Sequence, residues 1–105
     1  MLHVCPTEVV RARAERVWVL VATPTELAQW TDTRLIEAPA RELRPGDRLV
    51  LGAGIGHALN VIFEVQDAVP LHRLAIHIRL PFGVTNDEVI EIAPIGVDAC
   101  RVTFN

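Results

Sequence analysis

Three residue types are missing from this chain of 105 residues, which contains no serine, no tyrosine and no lysine. Without serine there is no serine nucleophile and no nucleophile elbow of the α/β-hydrolase kind. Without tyrosine there is no phenolic general acid. These absences exclude the common serine-hydrolase mechanisms.

Cysteine is scarce, with only Cys5 and Cys100 far apart in the chain. Their spacing matches no zinc or redox motif. The amino terminus lacks the basic and long apolar regions of a signal peptide, and the longest apolar run, residues 17–22, is too short to span a bilayer. We therefore expect a cytoplasmic protein without a membrane span, in which both cysteines are reduced and buried.

The charge balance excludes an electrostatic nucleic-acid binder. The formal net charge is −3, and all ten basic residues are arginines. Arg11, Arg13 and Arg16 cluster, but Glu8 and Glu15 lie among them, which is typical of a solvated helix face. We expect no nucleic-acid partner.

Half of the residues are hydrophobic. The length predicts one domain over residues 1–105. A hydrophobic fraction of one half gives such a domain more apolar surface than its small core needs. The surplus is available for a ligand or a partner.

The chain is predicted to begin with one strand and two short helices. Residues 3–10 read as a strand, and residues 12–22 carry apolar side chains at helical spacing. A second helix then starts with Thr23 as N-cap and Pro24 at its first position, and it runs to Trp30.

After the second helix the apolar period changes to strict alternation, which predicts strands. The turns between them are short, so the strands should form an antiparallel meander. The predicted strands span residues 34–38, 47–52, 58–67, 72–80, 87–93 and 99–105. The expected fold is α+β, with a curved seven-stranded antiparallel sheet and both helices between its first and second strands.

Several short motifs accompany this order of elements. They are Val17-Trp18, Thr23-Pro24 and Trp30 in the helices, Pro45-Gly46-Asp47-Arg48 in a turn, and Pro81-Phe82-Gly83 with Asn86-Asp87-Glu88 in a later hairpin. Together they resemble the START-like helix-grip superfamily, SRPBCC, and its polyketide cyclase/dehydrase-like branch. The resemblance covers essentially the whole chain.

This resemblance implies a curved sheet that grips a long carboxy-terminal helix, with an apolar cavity between the two. The sequence stops within an alternating pattern and contains no such helix. We therefore expect a carboxy-terminally truncated domain whose sheet face, bearing Ile76, Ile78, Ile90 and Ile92, is open to water. Such a chain should either self-associate as a homo-oligomer through this face or behave as a loosely packed, dye-binding species.

The parity of the strands identifies the side chains of the expected cavity. In the strand 72–80, for example, the leucines and isoleucines share one face, while His77 and Arg79 share the other. An antiparallel hairpin would place Glu91 near His77 or Arg79. The predicted ligand-binding lining is Trp30, Leu51, Phe63, Leu74, Ile76, Ile78, Leu80, Ile90 and Ile92.

Other chemistry-bearing residues point to no cofactor and no metal. Glycines 52, 54 and 56 precede a strand rather than the helix that a phosphate loop requires. His72 and His77 are an odd number apart, so they lie on opposite faces and cannot chelate one ion. Glu88 shares a face with Ile90 and is the carboxylate that would reach the cavity.

Three functions fit this sequence. The first is non-catalytic binding of a small hydrophobic ligand, such as a lipid, isoprenoid or polyketide, over the concave sheet face. The second is a cyclase/dehydrase-like enzyme in which Glu88, Asn60 or His57 acts on a bound polyketide. The third is a protein-interaction module that uses the sheet as a docking surface. An ionisable residue in the cavity would favour the enzyme, and an all-apolar lining the carrier. We assign no catalytic residue.

Overall fold

The computed structural model describes residues 7–104, which form one antiparallel sheet and two α-helices. The strands pair in the order β1-β7-β6-β5-β4-β3-β2. The elements are β1 Thr7–Val10, α1 Ala14–Ala22, α2 Pro24–Trp30, β2 Arg34–Glu37, β3 Arg48–Ala53, β4 Leu59–Val69, β5 Arg73–Arg79, β6 Thr85–Gly96 and β7 Ala99–Phe104. The predicted curved seven-stranded sheet, with both helices between its first two strands, is confirmed.

Alternation along each strand gives the sheet an inner and an outer face. On β5, Leu74 and Ile76 are buried on the inner face, whereas Arg73 and Arg79 are exposed on the outer face. A bulge in β4 keeps the apolar side chains on either side of it directed inward, since Val65 pairs with Ile76 and Ala68 pairs with Leu74.

The inner face packs against the two helices. α1 contributes Val17, Trp18 and Val21 to the core, and α2 contributes Leu27. The segment after β2 adds Leu43, whose amide donates to the Ala22 carbonyl oxygen at 2.8 Å.

The expectation that the inner face is open to water is wrong for most of its central residues. Ile76, Ile90 and Ile92 are 3 to 4% exposed, and only Ile78 is half-buried. The reason is that α1, α2 and Leu43 belong to the same buried cluster as these isoleucines. Self-association cannot therefore rest on these side chains.

The register of β5 against β6 also differs from the expectation. Glu91 lies opposite Arg73, whereas His77 lies opposite Asp87 and Arg79 opposite Thr85. The cause is the tight connection between the strands, in which the Leu80 amide donates to the Val84 carbonyl oxygen and lets β6 begin at Thr85.

The end of β6 also differs from its predicted position. β6 continues through Pro94 to Gly96, because Pro94 lies at a register shift where a missing amide hydrogen is tolerated. Thr23 occupies the N-cap of α2 as predicted, but its side chain makes no capping hydrogen bond. Thr23 is also the C-cap of α1, where its backbone amide donates to the Val19 carbonyl oxygen.

Of the two cysteines, Cys100 lies within the described residues. Cys100 is buried, its thiol lies 3.2 Å from the Ala12 carbonyl oxygen, and burial raises its pKa. Cys5 and the first residues of the predicted strand 3–10 lie outside the described residues, as does Asn105. Among residues 7–104, no helix is long and apolar enough to cross a membrane.

The turn before β3 is held by one carboxylate. Gly46 takes φ +90°, as the third residue of a type II turn requires, and the Asp47 amide donates to the Arg44 carbonyl oxygen. The Arg41 guanidinium donates to both Asp47 oxygens at 2.7 and 2.9 Å, and the Arg44 amide donates to one of them at 2.7 Å. The hydrogen bonds from Arg41 hold the pKa of Asp47 below its ordinary value.

This network predicts an acid-sensitive contribution to stability. Because the pKa of Asp47 is lower in the folded than in the unfolded chain, its contribution is complete above the unfolded value, near 4, and is lost as the pH falls through the folded value. Asp47→Asn should lower Tm by roughly 5 °C at pH 7 and by much less at pH 2. Thermal melts across this pH range test the prediction.

Asp98→Asn is the matched control, because Asp98 pairs with Arg13 at 3.3 Å while both side chains are largely exposed. Such a surface pair contributes little to stability. An equal loss in both variants at pH 7 would show that Asp47 has no special role in the turn.

Candidate functional site

The inner face carries three adjoining cavities that are not filled by the helices. The first, of about 150 Å³, lies beside α1 and β1, the central one, of about 130 Å³, lies beside α2, and the third, of about 280 Å³, lies near the turn after α2. The first and central cavities share Trp30 and Phe104, and the central and third share Thr31, Phe63 and Ile78. We call this line of cavities the inner trough.

Trp30 and Phe104 form the wall between the first two cavities. Their rings meet edge to face, with centroids 6.2 Å apart and planes at 61°. The Trp30 indole N–H donates to the Leu20 carbonyl oxygen at 2.8 Å, which ties the end of α2 to α1. Trp30 is 45% exposed, and this hydrogen bond holds its indole over the trough.

The trough is apolar with a small number of polar side chains. Of the nine residues that line the central cavity, eight are uncharged and only Glu88 is ionisable. Thr31 is the other polar residue there, and its hydroxyl lies 2.7 Å from the Leu27 carbonyl oxygen, to which it donates. Asn86 lines the third cavity, two residues before Glu88 on the same face of β6.

The structure brings most of the predicted lining residues together. Trp30, Phe63, Ile76, Ile78 and Ile90 line the central cavity, and Leu80 lines the third.

Three other predicted lining residues lie elsewhere. Leu51, Leu74 and Ile92 are at most 4% exposed and pack in the core cluster with the helices. They belong to the core rather than to the walls of the trough in this structure, because their strands pass beneath the helices. Contact of any residue with a ligand remains a prediction.

Of the three polar candidates for catalysis, only Glu88 reaches the trough. Asn60 lies on the outer-face parity of β4, opposite Gly52. His57 lies in the loop between β3 and β4, with its Nε2 3.5 Å from an Asp32 carboxylate oxygen. The loop lies so close to β3 that a Cβ on Gly52 would be 2.4 Å from the His57 carbonyl oxygen.

Sequence reasoning missed several residues of the trough. Phe104 could have been found, since it shares the parity of Cys100 and Val102 on β7. Val17 and Leu20 lie one turn apart on α1 and line the first cavity. Helical spacing alone does not predict which side of this helix would remain accessible to a ligand. Thr31 belongs to a turn, for which strand parity makes no prediction.

Solved structures share this architecture. DynU16, a protein of the dynemicin biosynthetic locus, matches with a TM-score of 0.74 and 22% identity over 96% of this chain and 35% of its own. CalU16 from Micromonospora echinospora matches with a TM-score of 0.71 and 16% identity over 93% and 55%. PFC0360w, an HSP90 activator from Plasmodium falciparum, matches with a TM-score of 0.73 and 10% identity over 96% and 69%.

These likenesses confirm the helix-grip fold expected from the sequence. At such identities they establish the fold alone. No protein-family model matches the chain, and no curated protein sequence is significantly similar to it. The chain spans about a third of the length of DynU16 and about half of that of CalU16.

The fixed position of Trp30 leads to a stability prediction. Trp30→Phe keeps an aromatic ring beside Phe104 but leaves the Leu20 carbonyl oxygen without this donor, so the free energy of unfolding should fall by about 1 kcal/mol. Trp30→Leu also removes the ring contact and should cost about 1 kcal/mol more. Urea denaturation of both variants measures the two losses, and an unchanged midpoint for Trp30→Phe would contradict the role given to the indole hydrogen bond.

Proposed function

We propose that this chain binds a small, elongated hydrophobic ligand along the inner trough. The observation that carries the proposal is that the three cavities adjoin one another and share mainly apolar lining residues. Ligand pockets typically enclose about 300 to 1,000 Å³. Each cavity alone is smaller than that, so a ligand of ordinary size would extend through more than one of them.

The shape and lining favour a chain-like ligand such as a lipid, an isoprenoid or a polyketide. The walls are made of aromatic and branched aliphatic side chains, which bury a flexible apolar chain without requiring specific hydrogen bonds. The half-buried Ile78 and Phe63 lie where the central and third cavities meet, so a ligand that spans both should contact these side chains.

A polyketide cyclase/dehydrase-like enzyme is the second candidate. Glu88 favours it, because a carboxylate in an otherwise apolar cavity can exchange a proton with a bound substrate. DynU16 comes from a biosynthetic locus. The two candidates differ in the fate of the ligand, which a carrier releases unchanged and a dehydrating enzyme releases with the loss of water.

The neutral dye Nile red tests binding, because its emission rises in an apolar site. Ile78→Asp places a charge in the wall of the trough and should weaken dye binding more than tenfold. Ile78→Ala removes only apolar contact and should weaken it several-fold. Competition by a long-chain β-hydroxyacyl thioester, followed by mass analysis of the recovered thioester, shows whether the ligand loses water.

His77→Ala is the matched control, because His77 lies next to Ile78 on the outer face, where its Nδ1 is 2.7 Å from an Asp87 oxygen. It should leave the dissociation constant of the dye within about twofold, with far-UV circular dichroism confirming the fold of every variant. Equal weakening in Ile78→Ala and His77→Ala would place the dye outside the trough.

Self-association is a further use of the same surface. Trp30 is 45% exposed at the trough. A second copy that covers the trough would bury this side chain. Sedimentation velocity over a range of concentrations should then show a dimer that Trp30→Arg dissociates, whereas a monomer at all concentrations would contradict this use.

A further inference from the structure

Glu88 is the one charged side chain of the central cavity. On β6 it lies between Asn86 and Ile90, and across the strand pair it lies opposite Ile76. It is half-buried and lines the central cavity, where the other wall residues contribute no charge.

The Glu88 carboxylate has no hydrogen bond or ion pair with any of residues 7–104, unlike three acidic side chains nearby on the outer face. Asp87 lies 2.7 Å from the His77 imidazole, and Glu64 accepts a hydrogen bond from Arg79 at 2.6 Å. Asp67 pairs with Arg73. The acceptor oxygens of this half-buried carboxylate are therefore free of protein donors among the described residues, and a ligand group could donate a hydrogen bond to them.

The one hydroxyl in the central cavity does not compete for this role. Thr31 donates to the Leu27 carbonyl oxygen at 2.7 Å, and its oxygen also lies 3.0 Å from the Thr33 hydroxyl. These local partners leave Glu88 as the polar group of the central cavity that is open to a ligand.

We infer, on the basis of the function proposed above, that the ligand is an amphiphile whose polar end is a hydrogen-bond donor, a hydroxyl or a protonated amine, held by Glu88. An ionised carboxylate accepts hydrogen bonds and cannot donate them. A ligand with an anionic end would therefore face a like charge at the same place. The apolar part of the ligand extends from Glu88 along Ile78 and Phe63, or along Trp30 and Phe104.

Three probes of equal chain length test this inference. Dodecylamine, dodecanol and dodecanoate are titrated against protein loaded with Nile red, below the concentrations at which they form micelles. The amine should bind at least tenfold more tightly than dodecanoate, with the alcohol between them, because the hydrogen bond to Glu88 is charge-assisted for the amine. Glu88→Gln keeps the size of the side chain and should remove most of this preference.

Two further substitutions of the same type are controls. Glu91→Gln removes a carboxylate from the same strand on the outer face, where Glu91 is exposed. Glu8→Gln removes the carboxylate at the exposed edge of the first cavity. Both variants should retain the preference for the amine. If only Glu8→Gln loses this preference, the polar end of the ligand binds at Glu8 and not at Glu88, which would overturn the inference.

The outcomes separate this inference from the function on which it rests. Equal binding of the three probes, unchanged in Glu88→Gln, would overturn the role of Glu88 and leave hydrophobic binding intact. Failure of all three probes and of Nile red to bind the unsubstituted chain would overturn the proposed function itself. Preference for the amine that disappears only in Glu88→Gln is the expected result.

Discussion

The structure depends on covering one apolar face of a seven-stranded sheet. Every strand sends alternate side chains to that face, and leaving it in water would cost the chain most of its hydrophobic stabilisation. The cover consists of helices of nine and seven residues and the segment that carries Leu43. Such short helices bury Leu51, Leu74 and Ile92 but cannot reach across the full sheet. The inner trough is the part that they leave, so the core and the candidate site result from the same limited cover.

Strand parity predicted the fold well because it is a local property. The alternation of Leu74, Ile76 and Ile78 is enough to define a face, and Pro45-Gly46 is enough to define a turn. Register depends on how each hairpin closes, which is why Glu91 was expected near His77 or Arg79, four or six positions along β5 from its true partner, Arg73. The membership of the trough depends on where a helix stops covering the sheet. That boundary separates Leu51 and Leu74 from Phe63 and Ile78, although all four share the same parity.

The fold does not select the function. DynU16 and an HSP90 activator share the architecture of this chain at low identity, so chemistry has to be assigned from the trough itself. There the polar groups are few and are distributed unequally. The outer face pairs several of its charges across strands, as His77 does with Asp87, whereas the central cavity of the trough has one carboxylate among aromatic and aliphatic side chains. This contrast distinguishes a solvated surface from a surface suited to recognition.

The pairing of β1 with β7 has a consequence for the order of folding. Every other strand pair joins neighbours in the chain, so those hairpins can form one after another with short loops to close. Thr7 instead pairs with Thr103, and this contact brings together segments that are separated by almost the whole domain. Loop-closure entropy makes such pairing slow, and β1 should join after the meander has formed. Because β1 supplies Glu8 and Val10 to the first cavity, one end of the trough is completed only in that final step.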